Sequence, residues 1–183
     1  MKTNKIFFAG LSVMFAVSVA CTSETAQQTE TQDHAHEGHT HEASASQIGN
    51  PQFKNENTKA VYEHYIHLKT ALVKSDAKEA QSGASALSVA LSNVANAKGA
   101  ELASKIASTS DIKVQRDNLD GLTTEVENVI KSGGLKSGKI FKQYCPMAKN
   151  GDGAYWLASE SDINNPYYGD EMLECGEVKE EIK

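Results

Sequence analysis

The sequence predicts an all-α fold, an antiparallel bundle of three or four helices with a loop-rich Cys/Met cap at its C-terminal end. Between residues 55 and 132, apolar residues recur every three or four positions, which is the period of helices buried on one face. No proline lies between Pro51 and Pro146 to interrupt them. From residue 138 onward, aromatic residues and turn signals such as KNGDG and NNPYYGD indicate a compact cap with room for two short strands.

The helix boundaries follow from capping residues and glycines. Asp76 with Glu79 three residues later forms a predicted capping box at the start of the second helix. Asp111 is the predicted cap of the last helix, which ends at Gly133-Gly134. The short connections imply antiparallel neighbours in one domain, residues 53–183. The residues expected on the buried faces are Val61, Tyr65, Leu68 and Leu72; Ala80, Ala84, Leu87, Leu91 and Val94; Leu102 and Ile106; and Ile112, Leu119, Leu122, Val126 and Val129.

Residues 1–20 have the pattern of a secretory signal peptide. Lys2 and Lys5 precede an apolar run that ends in small residues, and the run is too short for a transmembrane helix. Cys21 follows directly, which predicts a bacterial lipoprotein lipidated at Cys21; ordinary signal cleavage nearby is the alternative. We therefore expect an exported protein of the cell envelope, attached by a lipid anchor to the outer membrane on its periplasmic or its surface side.

Residues 21–52 are predicted to be a disordered tether, because the segment from residue 22 has no aromatic and few branched apolar residues. Within it, DHAHEGHTHE places four histidines in eight positions. Imidazoles at this density can bind Cu(II), Zn(II) or Ni(II), and a solvated linker without metal is the alternative. The predicted ligands of the tether are His34, His36, His39 and His41.

Charge and motif content exclude several function classes. The formal net charge of −6 argues against a nucleic-acid partner. The sequence has no Gly-rich phosphate loop, no C-x-x-C motif and no local signature of a nucleophilic Cys–His pair. The sequence therefore predicts that the protein is not an enzyme.

The C-terminal segment places a cysteine beside a methionine twice: Cys145 with Met147 in YCPMA, and Met172 with Cys175 in MLECG. Thiolate and thioether sulfurs are soft ligands suited to Cu(I) or Ag(I). We expect the first pair on one side of an extended chain and the second on one side of a helical turn. The alternative is a Cys145–Cys175 disulfide with both methionines in the core. That disulfide would close a loop of about 30 residues and stabilise the fold by about 3–4 kcal/mol.

Three stretches, SDIKVQRDNLDGLTTEV, YCPMAKNGDGAYWLASESDI and NPYYGDEMLECGEV, resemble an envelope domain family of unknown function from Bacteroidota. The resemblance covers residues 55–182, departs from the family at Ala158, and matches its motif at Cys145, Met147, Met172 and Cys175. Domains of this family are also appended to periplasmic adaptor subunits of copper/silver RND efflux pumps. The resemblance therefore implies heavy-metal handling, with a metal ion and an efflux adaptor as partners.

These observations predict an exported lipoprotein that binds soft or borderline heavy-metal ions. Copper, as Cu(I) or Cu(II), is the first candidate, for sequestration or for transfer to an efflux system. The alternative function is a disulfide-stapled interaction module of an envelope efflux complex, with no metal of its own.

Overall fold

The prediction of an all-α fold is wrong. In the computed structural model, which describes residues 46–183, four helices are combined with two antiparallel β-sheets, so the fold is mixed α/β. The helices are α1 (Glu56–Val73), α2 (Ala77–Asn93), α3 (Ala97–Ala107) and α4 (Ile112–Gly133). The strands are β1 (Gln52–Phe53), β2 (Leu135–Ser137), β3 (Ile140–Cys145), β4 (Ala154–Ala158) and β5 (Glu177–Ile182).

The helical bundle forms where the apolar periodicity predicts it. Asp76 and Asp111 cap α2 and α4, accepting hydrogen bonds from the backbone N–H groups of Glu79 (2.9 Å) and Lys113 (2.9 Å). The capping box is only half made, because the Glu79 carboxylate binds His67 Nε2 at 2.6 Å instead. Of the residues expected on the buried faces, all are buried except Val94, Leu102 and Ile112, which are half-buried.

Consecutive helices pack against each other, and α4 also packs on α1. The helices α1 and α2 approach each other closely at Gly83. A Cβ atom at this position would lie 3.1 Å from the backbone nitrogen of Leu68, closer than packed side chains normally come. Glycine is therefore the residue that lets these two helix backbones meet.

The predicted loop-rich cap is a three-stranded sheet in the order β4-β3-β5. Phe141, Gln143 and Cys145 alternate along the central strand β3 and are buried, while their partners on β4 are Ala158, Trp156 and Ala154. Because backbone N–H and C=O groups must find partners when the chain is buried, the cap pairs its strands rather than remaining as loops.

Side chains of the helices cover the outer edge of β4. The backbone N–H of Tyr155 donates to Asp120 Oδ1 at 3.2 Å, and that of Leu157 donates to the Tyr65 hydroxyl at 3.1 Å. The Tyr65 hydroxyl in turn donates to Thr123 Oγ1 at 2.7 Å, since the Thr123 hydroxyl donates to the Leu119 carbonyl. These bonds satisfy an edge strand and fix the sheet on α1 and α4.

The end of the predicted tether is joined to the folded part of the chain. The Gln47 N–H donates to the Ser161 hydroxyl at 2.8 Å, and the Ser161 N–H donates to the Gln47 carbonyl at 2.9 Å. The Gly49 N–H donates to the Ser159 carbonyl at 2.7 Å. Strand β1 pairs with β2, which follows α4. The signal peptide, Cys21 and the four tether histidines lie outside the described residues. Between residues 46 and 183, no helix has the length and apolar character needed to cross a membrane.

Candidate metal centre

The β3–β5 ladder brings the two cysteines of the C-terminal segment together. Tyr144 pairs with Glu177 in this ladder, so the chain just before β5 runs beside the end of β3, where Cys145 lies. Both thiols are free, and Gly176, the residue after Cys175, lies against the carbonyl of Tyr144, the residue before Cys145. The structure therefore places next to each other two cysteines that are 30 positions apart.

Each cysteine belongs to a tight turn, and the two turns lie at the same end of the sheet. The Ala148 N–H donates to the Cys145 carbonyl at 3.4 Å, so Cys-Pro-Met-Ala is a turn; the expectation of an extended chain was wrong. The Cys175 N–H donates to the Met172 carbonyl at 3.1 Å, which makes the expected turn, although it follows a short 3₁₀ helix, Gly169–Glu171, rather than an α-helix.

The four sulfur-bearing residues differ sharply in exposure. Cys145 is fully buried, Cys175 and Met172 are half-buried, and 53% of Met147 is exposed. Met147 is thus not the core residue that the disulfide alternative expected. Exposure therefore rises from the fully buried Cys145 to the largely exposed Met147.

A loop across the buried face of the sheet holds both turns in place. The Asn165 side chain donates to the Cys175 carbonyl at 2.8 Å and accepts from the Tyr167 N–H at 2.8 Å. The Tyr167 hydroxyl donates to the Tyr155 carbonyl at 2.8 Å, and its ring packs edge-on against Trp156. The Tyr168 hydroxyl donates to the Met147 carbonyl at 2.5 Å.

Asn165 and Tyr167 are positioning residues that the sequence reasoning missed. Both belong to the NNPYYGD segment, which was interpreted only as a turn signal. A polar residue before proline, followed by two tyrosines, could have indicated side chains that anchor neighbouring turns.

Gly176, which follows Cys175, permits the close approach of the two strands. Its φ is +148°, and an added Cβ would lie 2.9 Å from the Tyr144 carbonyl oxygen and 2.8 Å from the ring of Trp156. A larger residue at position 176 would push Cys175 away from Cys145. Glycine is therefore required for the two thiols to meet.

The protonation of the pair follows from its surroundings. The hydrogen bond with the Cys145 thiol, together with burial, raises the pKa of the Cys175 thiol above its ordinary value, while the backbone N–H of Met147 acts in the opposite direction.

Over residues 46–183, no group of three or more His, Cys, Asp or Glu side chains could hold a metal ion. Any ion held at the thiols would therefore take its further ligands from the methionines or from solvent.

Comparison with known proteins adds one finding. The model of a family described as "Protein of unknown function (DUF3347)" matches residues 61–138. The matched region runs from the first turns of α1 through β2 and ends before β3, so the chain carries a domain similar to this family over its helical bundle. No curated protein and no solved structure matches the chain.

Proposed function

We propose that this protein is an exported lipoprotein whose folded domain binds a soft metal ion, copper first, through the sulfur atoms at the end of the three-stranded sheet. The observation that carries the proposal is the register of β3 and β5, which brings the free cysteines Cys145 and Cys175 to the end of the sheet where the exposed Met147 also lies. Lipidation of Cys21 and export remain predictions from the sequence, outside the described residues.

The ligand chemistry favours a monovalent ion with a preference for sulfur. Two thiolates and a thioether suit Cu(I) or Ag(I), whereas Zn(II) usually takes four ligands from Cys, His and carboxylate side chains. The described part of the chain brings no third such side chain to the thiols. Met147 and Met172 are the proposed additional ligands, because each lies in the same four-residue turn as one of the cysteines.

The histidine tether is proposed as a separate capture site for borderline ions. His34, His36, His39 and His41 suit Cu(II), which has the highest intrinsic affinity among the candidate divalent ions. The tether and the sulfur site would thus take different oxidation states of one metal. Sequestration, or transfer of the ion to an efflux system, is the proposed use.

The test is a titration of the reduced protein with Cu(I) against a competing chromophoric chelator in the absence of oxygen. We expect one tightly held equivalent, lost in Cys145→Ser and Cys175→Ser, weakened in Met147→Leu and Met172→Leu, and unchanged when residues 33–42 are deleted. The leucine variants are matched in size, since leucine replaces the thioether with an apolar side chain of similar volume. Full binding in Cys145→Ser, or loss of the equivalent on deletion of 33–42, would contradict the sulfur site.

The same adjacency of thiols supports a second candidate function. A Cys145–Cys175 disulfide would staple the turn before β5 to the central strand and leave an interaction module with no metal of its own. Mass spectrometry of free thiols in freshly isolated protein distinguishes the two functions. A fully oxidised pair that binds no Cu(I) after reduction favours the staple.

A further inference from the structure

We propose that Cys145 and Cys175 form a thiol–disulfide switch, in which Cys175 is the thiol that meets an external oxidant and Cys145 is the thiol that completes the disulfide. Oxidation then closes the metal site and reduction reopens it. This second statement rests on the proposed function, whereas the redox step itself rests on the geometry of the pair.

The two thiols are unequal in access. Cys145 lies in the central strand and is fully buried, so a dissolved reagent cannot reach its sulfur in the folded protein. Cys175 is half-buried and lies in a turn that precedes the edge strand β5. A small oxidant therefore reacts at Cys175 first.

The chemistry needs only a low-molecular-weight disulfide as oxidant. The Cys175 thiolate attacks one sulfur of that disulfide, forms a mixed disulfide and releases one small thiolate. The Cys145 thiolate then attacks Cys175 Sγ, forms the internal bond and releases the second small thiolate. Two electrons pass to the small disulfide, and the two protons lost by the cysteines end on the two released thiols.

The second step needs little movement, because the register of β3 and β5 already brings Cys145 and Cys175 together in the reduced protein. Asn165 holds the Cys175 carbonyl and Tyr168 holds the Met147 carbonyl through groups that the reaction does not touch. Within residues 46–183, the four helices make no hydrogen bond to the turns at 145–148 and 172–175. The switch is therefore local to the end of the sheet.

Oxidation would remove the ligands that make the site selective. A disulfide carries no thiolate charge, so only the thioethers of Met147 and Met172 would remain to bind an ion. Two neutral thioethers hold Cu(I) much more weakly than a set that includes thiolates. The oxidised protein is the empty form, and the reduced protein is the form that can be loaded.

The protein contains an intrinsic fluorescent reporter for oxidation of the thiols and for metal binding. Trp156 is the single tryptophan, and its ring packs directly beside Gly176, the neighbour of Cys175. We expect its fluorescence to differ between the reduced, oxidised and metal-loaded forms.

The experiment uses the full chain with Cys21→Ser as parent, so that only the two cysteines of the fold remain. The parent, Cys145→Ser and Cys175→Ser are each equilibrated with oxidised glutathione, and the adducts are identified by mass spectrometry. We expect an internal disulfide in the parent, a glutathione adduct on Cys175 in Cys145→Ser, and no adduct in Cys175→Ser. The oxidised parent should lose Cu(I) binding at least tenfold and regain it after reduction.

Three results would overturn the switch: a parent that keeps both thiols, an adduct on Cys145 in folded Cys175→Ser, or an oxidised parent with unchanged Cu(I) binding. The helical circular dichroism of each variant verifies folding, and alanine replaces serine where a serine variant unfolds. A reduced parent that binds no Cu(I) would overturn the proposed function and the closing of the site. The adduct pattern would still decide the redox step.

Discussion

Tyr65→Phe tests whether the buried hydroxyl of Tyr65 fastens the sheet to the helices. Tyr65 is fully buried, and its hydroxyl accepts from the Leu157 N–H at 3.1 Å and donates to Thr123 Oγ1 at 2.7 Å. The substitution deletes one oxygen and leaves the ring in place. What remains is a β4 amide facing the interior without an acceptor.

The magnitude follows from these two bonds. A typical hydrogen bond contributes about 1 kcal/mol to stability, and a buried amide left without a partner costs about 1–3 kcal/mol. Because the Thr123 hydroxyl keeps its bond to Leu119, the stranded Leu157 N–H dominates. We expect the free energy of unfolding to fall by about 2–3 kcal/mol, and the melting temperature by about 6–9 °C in a domain of this size.

Urea unfolding measures this loss, and Tyr62→Phe is the matched control. Tyr62 lies one turn earlier on the same helix and is also buried, but its hydroxyl makes no hydrogen bond within the described residues. Its removal should change stability by less than about 0.5 kcal/mol. Equal losses in the two variants would refute the reasoning. Hydrogen exchange at the Leu157 amide should quicken in Tyr65→Phe alone.

Two further predictions concern buried charge. Lys69 is only 3% exposed and its Nζ lies 2.7 Å from Glu160 Oε1, so Glu160→Gln, which strands the ammonium, should lower stability by about 3 kcal/mol in urea unfolding. Combining it with Lys69→Met should recover most of the loss, and no recovery would show that the charge is not the cause. At Glu127, burial raises the pKa, but hydrogen bonds from Lys131 and Lys142 outweigh it and hold the pKa below the usual 4.5. A carboxyl with a lowered folded-state pKa stabilises the protein above its unfolded value and loses that contribution as the pH falls through the folded value. Stability measured from pH 6 to 3 should therefore fall less steeply in Glu127→Gln, and an identical slope would contradict the assignment.

The helices could be predicted because their signals are local. A stripe such as Leu87 and Leu91, and a cap such as Asp111, lie within a few turns of the structure that they specify. The strand β5 could not be predicted in this way. Four of the six residues in its sequence EVKEEI are charged, and it becomes a strand because β3 supplies its backbone partners.

The candidate metal centre could be predicted only in part, because it also depends on the pairing of strands that are distant in sequence. Soft-ligand chemistry can be assigned to Cys145 and Cys175 from residue type, but their meeting depends on the register of β3 and β5, which no local pattern records. The turn at residues 145–148 has a local signal in the sequence. Pro146 directly after Cys145 occupies the second position of a turn, where proline is favoured, and it indicates the turn that the structure contains.

Because the Cys145 sulfur is inaccessible while the sheet is closed, its rate of chemical modification reports the opening of the sheet. A charged alkylating reagent can modify Cys145 only during moments when β3 separates from its neighbours, whereas Cys175 can react while the sheet is closed. When the sheet recloses faster than the reagent reacts, the ratio of the two modification rates in one reduced sample gives the population of the open state. Opening of the sheet can therefore be measured through its own two cysteines, without any attached label.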